Sequence, residues 1–195
     1  GAFRAVAAMA DTEPLSIHFM ESPDELALYQ GEGSLAAWYG RMGWECDFLH
    51  YGTPARRIAE SIPANRRILL IHNVKTTVED IATIEKHFTN GVYWVLCPES
   101  NRFISRTEPP VETLRNAGAK IAIGTDSLAS ARHLSMVENM RLLGDIPLDE
   151  LLIWATRNGA EALGLEASLG DIRVGTTPGI VVIEGADLQN MRVTD

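Results

Sequence analysis

The sequence predicts an α/β fold built on a parallel sheet. Two observations carry this: short β-branched and aliphatic runs alternate with longer stretches of helical periodicity, and those runs are nearly continuously apolar, as in strands covered on both faces. A third is scale. With 195 residues, 46% hydrophobic and 22% charged, the chain can bury one sizeable core and is not compositionally disordered. A single compact domain is the starting expectation.

Taken in order, the start Gly1-Ala-Phe-Arg-Ala-Val-Ala-Ala-Met-Ala10 is apolar enough to mimic a signal peptide, yet Arg4 interrupts it and the apolar face of a helix explains it equally well. The first strand is expected at residues 15–19. Ser22-Pro23-Asp24-Glu25 then reads as an N-cap, a proline at the first helical position and a capping-box glutamate, so a helix begins directly after Glu21. Residues 34–54 form an unusually long connection holding Trp38, Trp44, Phe48 and Tyr51. These rings suit either a lid over a planar heterocycle or the packing of an irregular excursion, and the helical patterning on both sides favours packing. The second strand is expected at 68–72, where Thr76-Thr77-Val78-Glu79 repeats the capping device; the third falls at 93–96 and the fourth at 120–124, with Gly118 as the preceding C-cap. Residues 130–143 and 148–156 carry amphipathic patterns separated by Gly144-Asp145-Ile146-Pro147. The tail leaves this rhythm, with residues 169–175 and 178–183 reading as two short strands joined by a Gly/Pro turn.

Composition also excludes partners. Seventeen Lys and Arg against 26 Asp and Glu leave a charge of −9, which repels phosphate backbones and anionic lipid, so neither nucleic acid nor a membrane surface is an expected partner. No apolar run reaches the roughly 20 residues needed to cross a bilayer. The two cysteines, Cys46 and Cys97, are too few for a disulfide framework and lack metal-knuckle spacing, which fits a soluble protein in the reducing cytoplasm.

In parallel α/β folds chemistry collects at the carboxyl ends of the strands. Here every strand ends in polar residues: His18-Phe19-Met20-Glu21, Ile71-His72-Asn73, Cys97-Pro98-Glu99-Ser100-Asn101 and Gly124-Thr125-Asp126-Ser127. Each alone has a plain reading: a hydrogen-bonded core histidine for His72, a helix cap for the Gly-Thr-Asp-Ser turn, a solvated first-turn carboxylate for Glu21. Together, imidazoles and carboxylates at one rim can bind zinc or ferrous iron and move protons. His50 can face a substrate, His87 and His133 read as surface residues in helical patterns, and Cys97 reads as packed.

In that order these motifs, with the tail Leu169-Gly170-Asp171-Ile172 to Pro178-Gly179-Ile180-Val181-Val182-Ile183, resemble the amidohydrolase superfamily. The similarity spans residues 18–184. The branch it points to is the metal-dependent deaminases and chlorohydrolases, which includes S-adenosylhomocysteine, aminofutalosine, guanine and cytosine deaminases. The resemblance implies a (β/α)8 TIM-type barrel, of which these would be strands five to eight. It implies one divalent metal ion, zinc in preference to iron, with His18 and Asp126 as ligands. Glu21 would be the proton shuttle, His72 would contact the attacking water or the new oxygen, and Asp126 would also be the general base. Ser100, Asn101 and Arg102 fall where the family places substrate-contacting or loop-fixing groups. The spacing of His18 and Glu21 separates this branch from the binuclear, lysine-bridged one, and the H-x-E and P-C-x-x-C pattern of the cytidine-deaminase fold is absent.

One departure is large. The family's first strand carries a His-x-His pair, and none occurs in these 195 residues; a complete barrel takes about 250 residues. The expectation is therefore about half a barrel over residues 1–168 and a returning β segment of a small β domain over residues 169–195. Open strand edges then call for association with an amino-terminal half or a second copy. The implied function is metal-dependent hydrolysis of a non-peptide carbon–nitrogen bond, foremost deamination of a purine-like base or nucleoside as small-molecule heterocyclic substrate. The alternatives are a ring-amide hydrolase or chlorohydrolase of the same superfamily, and a non-catalytic half-barrel fragment or binding module.

Overall fold

The computed structural model describes residues 2–9, 13–46, 48–183, 186–187 and 192–193. Its spine is a parallel sheet of four strands in sequence order: β1 (Leu15–Phe19), β2 (Ile68–His72), β3 (Val92–Leu96) and β4 (Ile121–Ile123). The first two match the sequence expectation, the third starts one residue early, and the fourth is a residue shorter at each end.

Helices return the chain between strands. α1 (Ala2–Met9) precedes β1; α2 (Pro23–Leu28), α3 (Gly33–Arg41), a 3-10 turn (Leu49–Tyr51) and α4 (Pro54–Ser61) lead to β2. α5 (Val78–His87) leads to β3, and α6 (Pro98–Ile104) and α7 (Val111–Asn116) to β4. After β4 come α8 (Met136–Leu142), α9 (Leu148–Ala155) and α10 (Arg157–Leu163). Among the described residues no helix is long and apolar enough to cross a membrane. Of the apolar start, Gly1 and Ala10 lie outside the described residues, while Ala7 of α1 is buried.

Strand alternation divides the sheet into two faces. Phe19, Ile68, Leu70, Trp94, Leu96 and Ile121 point to the main core, under helical residues such as Ile58, Ile84, Leu114, Met140 and Leu151. The opposite face carries Leu69, Tyr93, Val95, Cys97 and Ala122, covered by Ala162 of α10. Both faces are buried at the centre of the sheet, which explains why those strands read as continuous apolar runs. On β1 the second face continues into Ser16 and His18, in register with Leu69 and Ile71, and both are exposed.

The helix starts combine local signals with tertiary ties. The capping box expected of Thr76 and Glu79 forms one residue later, with Thr77 as the N-cap of α5 and Asp80 completing the box. Gly118 sits at φ +68 after α7, the left-handed conformation a C-terminal glycine supplies. The helix expected over 130–143 begins only at Met136, where the Ser135 hydroxyl accepts from the Glu138 N–H at 3.2 Å. Upstream, Ser130 donates to Asp126 and the Arg132 N–H donates to Glu99 of α6, so bonds to side-chain carboxylates take the place of helical ones. The 148–156 pattern ends at Thr156, whose φ −128, ψ −78 separates α9 from α10.

The tail corrects the expectation most. Neither 169–175 nor 178–183 is in a strand, and Ile172, Val174, Ile180, Val181 and Val182 are exposed. A strand needs a neighbour to take its backbone hydrogen bonds, and no ladder reaches these residues. An Arg157–Asp171 ion pair anchors the first stretch, and Gly170, at φ +89, lies so close to α10 that an added Cβ would be 2.7 Å from the Ala160 Cβ. The described strands beyond it are one antiparallel pair, β5 (Ala186–Asp187) and β6 (Arg192–Val193). The rest of the 184–195 stretch, including Glu184, lies outside the described residues.

Candidate active site

The carboxyl ends of the four strands deliver two linked clusters to one rim. In the first, the His18 and His72 rings stack with centroids 5.3 Å apart and planes 17° from parallel. Glu21 Oε1 lies 3.6 Å from His72 Nε2, an approach longer than a hydrogen bond. His72 is buried, and its Nδ1 is 2.9 Å from Asn101 Oδ1. The Asn101 Nδ2 donates to the His72 carbonyl at 3.4 Å, which orients the amide with its oxygen toward the ring. Nδ1 therefore carries the proton that bonds Asn101, and Nε2 faces Glu21.

The second cluster surrounds Asp126. The hydroxyls of Ser100 and Ser130 donate to its Oδ2 at 2.6 and 2.9 Å. Burial works to raise the Asp126 pKa, but the bonds from Ser100 and Ser130, the attraction of His72 and the Ser127 N–H together outweigh it and hold the carboxyl below its ordinary value. A group so held is a carboxylate at neutral pH, ready to accept a proton or ligate a cation. Cys97 beneath it behaves oppositely: burial first, then the charges of Asp126 and Glu21, push its thiol up to about 12. Cys97 packs as a thiol, as the sequence suggested.

The backbone at this rim is unusual. Met20, His72, Asn73 and Asp126 have φ of 50, 83, 62 and 58°, and only Arg106 joins them as a non-glycine residue at positive φ among the described residues. Such conformations cost about 1–3 kcal/mol each and persist only where neighbours hold them. Here the Asn73 amide donates to the Leu70 and Val95 carbonyls at 2.8 and 3.0 Å, and its N–H donates to Phe19.

Ser100 and Asn101, adjacent at the start of α6, are 0% exposed; one bonds Asp126 and the other His72, as groups that fix the rim would. Arg102 is directed elsewhere, bonding the Glu108 carboxylate and the Leu142 carbonyl. Sequence reasoning missed Ser130, four residues after Asp126, because its stretch read as helix. Of the aromatic residues of 34–54, Tyr39, Phe48 and Tyr51 pack with Tyr29 in a satellite core, whereas Trp38 and Trp44 are exposed, their rings edge to face at 4.9 Å. His50 lies against Tyr51, His87 bonds the Ile62 carbonyl and His133 is exposed.

As for a metal, among the described residues no group of three or more His, Cys, Asp and Glu side chains converges closely enough to hold an ion. His18 and Asp126 are donor types that suit zinc, and a zinc site takes three or four protein ligands. A groove of about 420 Å³ beside His18 runs along the free edge of β1, lined by Val6, Leu15, Ser16, Ile17, Arg57 and Ile62. A larger cavity of about 1000 Å³ is lined by Glu99, Arg102 and Ser130 among others, but not by Glu21, His72 or Asp126.

Comparison with known proteins extends this geometry. The model of the amidohydrolase family matches residues 7–194. A 5-methylthioadenosine/S-adenosylhomocysteine deaminase of Moorella thermoacetica is 33% identical over 128 residues, covering 60% of this chain and 29% of the relative. Among solved structures, the Helicobacter pylori aminofutalosine deaminase in complex with methylthio-coformycin superposes with a TM-score of 0.75 at 29% identity, covering 90% of this chain and 44% of that one. An adenosine deaminase from Xanthomonas campestris with bound zinc gives a TM-score of 0.69 at 27% identity, covering 89% and 38%. The chain spans 29% to 38% of the length of the first curated relatives it matches.

Proposed function

The chain belongs to the amidohydrolase family, and from that premise we propose that it carries the carboxyl-terminal catalytic part of a hydrolytic deaminase for an amino-substituted N-heterocycle, a purine-like base or nucleoside. The observation that supports this most is the approach of Glu21 to His72 at 3.6 Å beside an Asp126 carboxylate kept ionised by two serines. Deamination of an sp² carbon needs a group that protonates the ring nitrogen, a base that takes the proton of the attacking water, and a group that orients that water. Glu21, just beyond the end of β1 and partly exposed, suits the first role. Asp126 suits the second, and can hand the same proton to the departing ammonia. His72, with Nδ1 committed to Asn101, has only Nε2 to offer the reacting oxygen. A divalent ion held in part by His18 and Asp126, zinc in the first instance, supplies water activation when bound.

The sheet fits strands five to eight of a (β/α)8 barrel, over residues 1–168, with residues 169–195 returning toward a small β domain. Supporting this are the sequential parallel order, the single neighbour of β1 and of β4, and the exposed Ser16 and His18 on the face that a barrel would enclose. The remaining donors and strands would come from an amino-terminal half or another copy. Two free cysteines are consistent with a reducing cytoplasm. The test is ammonia release from aminopurine nucleosides by the longest gene product containing this chain. Glu21→Gln and Asp126→Asn each abolish it if the reading holds; activity retained in either removes the assignment.

A further inference from the structure

The Ser22-Pro23-Asp24-Glu25 motif reads as a helix cap, and the structure does not use it as one. Ser22 occupies the N-cap position of α2 with extended backbone but makes no side-chain cap bond. Glu25 reaches past it: its Oε2 accepts from the N–H of Glu21 at 3.1 Å. In a capping box the third helical residue bonds the N-cap N–H; here the bond falls one residue earlier, on the residue read as the proton shuttle.

The segment around Glu21 is held from two sides. The Phe19 carbonyl accepts from Asn73 N–H at 2.9 Å and the Met20 carbonyl from Lys75 N–H at 3.1 Å, so the loop after β2 grips the acceptors. Glu25 grips the donors, and does so across a chain reversal in which Met20 has φ 50°. Glu25 is largely buried here, and its neighbour in charge is Glu21 itself; desolvation first, with the Glu21 charge adding to it, pushes the Glu25 pKa up to about 7 against the bonds from Glu21 and Met20 N–H. A helix cap of this kind would sit solvated and ionised at little cost. A carboxyl placed where ionisation is unfavourable has a positional task.

We propose that Glu25 is the positioning residue of the proton shuttle: its carboxyl group anchors the Glu21 main chain so that the Glu21 carboxylate stays beside His72 Nε2. This rests on the shuttle role of Glu21 for its catalytic meaning, but the anchoring itself does not. The variants are Glu25→Ala, which removes the acceptor, and Glu25→Gln, which keeps an acceptor oxygen of the same reach.

The experiment is residue-resolved amide hydrogen exchange on the 195-residue chain, with the Trp94 amide in the core strand as internal reference. Glu25→Ala accelerates exchange at Glu21 by about tenfold or more relative to Trp94, and Glu25→Gln by less than about threefold. Equal exchange at Glu21 in all three proteins overturns the proposal, and so does uniform acceleration at Glu21 and Trp94, which is a merely structural effect. In the longer gene product, Glu25→Ala lowers kcat more than it raises KM, and Glu25→Gln restores most of kcat; a fall confined to KM also overturns it. If that product deaminates nothing while the exchange pattern appears, the deaminase reading fails and the anchoring stands.

Discussion

Replacing Asn101 with leucine tests how His72 is held. The substitution conserves volume and removes the acceptor of the 2.9 Å bond from His72 Nδ1, together with the longer 3.4 Å donation to the His72 carbonyl. Both residues are buried, so the orphaned ring N–H finds no water and costs about 1–3 kcal/mol, while the weaker bond adds less than about 1. His72→Phe removes the partner instead, and in the double variant apolar faces apolar. Asn101→Leu alone is therefore expected to lose about 2–3 kcal/mol in urea unfolding, and the double variant to recover about 1–2 of it as a coupling energy. The assay is a double-mutant cycle from denaturation midpoints at constant m-value. Additivity within about 0.5 kcal/mol would refute the reasoning, because it would mean the two side chains do not depend on each other.

Further outcomes follow from other parts of the molecule. Glu25, raised to about 7 by burial, is neutral in the fold at low pH; stability is fully present below the unfolded value near 4.5 and is lost as pH rises through about 7. Glu25→Gln should match the parent at pH 4.5 and exceed it at pH 8 by about 2–3 kcal/mol, and equal stability at both pH values would contradict the burial argument. Gly170→Ala, with φ +89 and its Cβ 2.7 Å from Ala160, should lower the melting temperature by several degrees, about 2–4 °C per kcal/mol lost; an unchanged transition would mean the tail does not pack on α10. Ser100→Ala should move the Asp126 carboxyl titration, followed by carbon NMR, upward toward the ordinary value. Calorimetric titration of this chain with zinc should give weak binding that disappears in His18→Ala, whereas tight one-to-one binding would show that the donor set is complete.

Much of the fold was legible because its determinants are local. Apolar runs of strand length, a glycine after α7 and a threonine before α5 act within a turn or two, so β1 to β4 and the starts of α2, α5 and α9 followed from composition and spacing. What was not legible shares a cause. Ser100 and Asn101 bond partners 26 and 29 residues away, and no periodicity names those partners. Residues 130–135 had helical patterning but are bonded by Asp126 at the head of the same loop and by Glu99 on α6. Residues 178–183 had strand composition and no neighbouring strand, and β structure depends on its partner more than on its own residues.

The sequence by itself determined four parallel strands with polar carboxyl ends, three of which bring His18, Glu21, His72 and Asp126 to one rim, because residue type and strand length are local properties. Only the tertiary structure decided that Asn101 selects the His72 tautomer, that two serines keep Asp126 ionised, and that Glu25 anchors the main chain of Glu21. Those contacts exist only once the strand ends are side by side, where burial removes competing water and gives each hydrogen bond its effect.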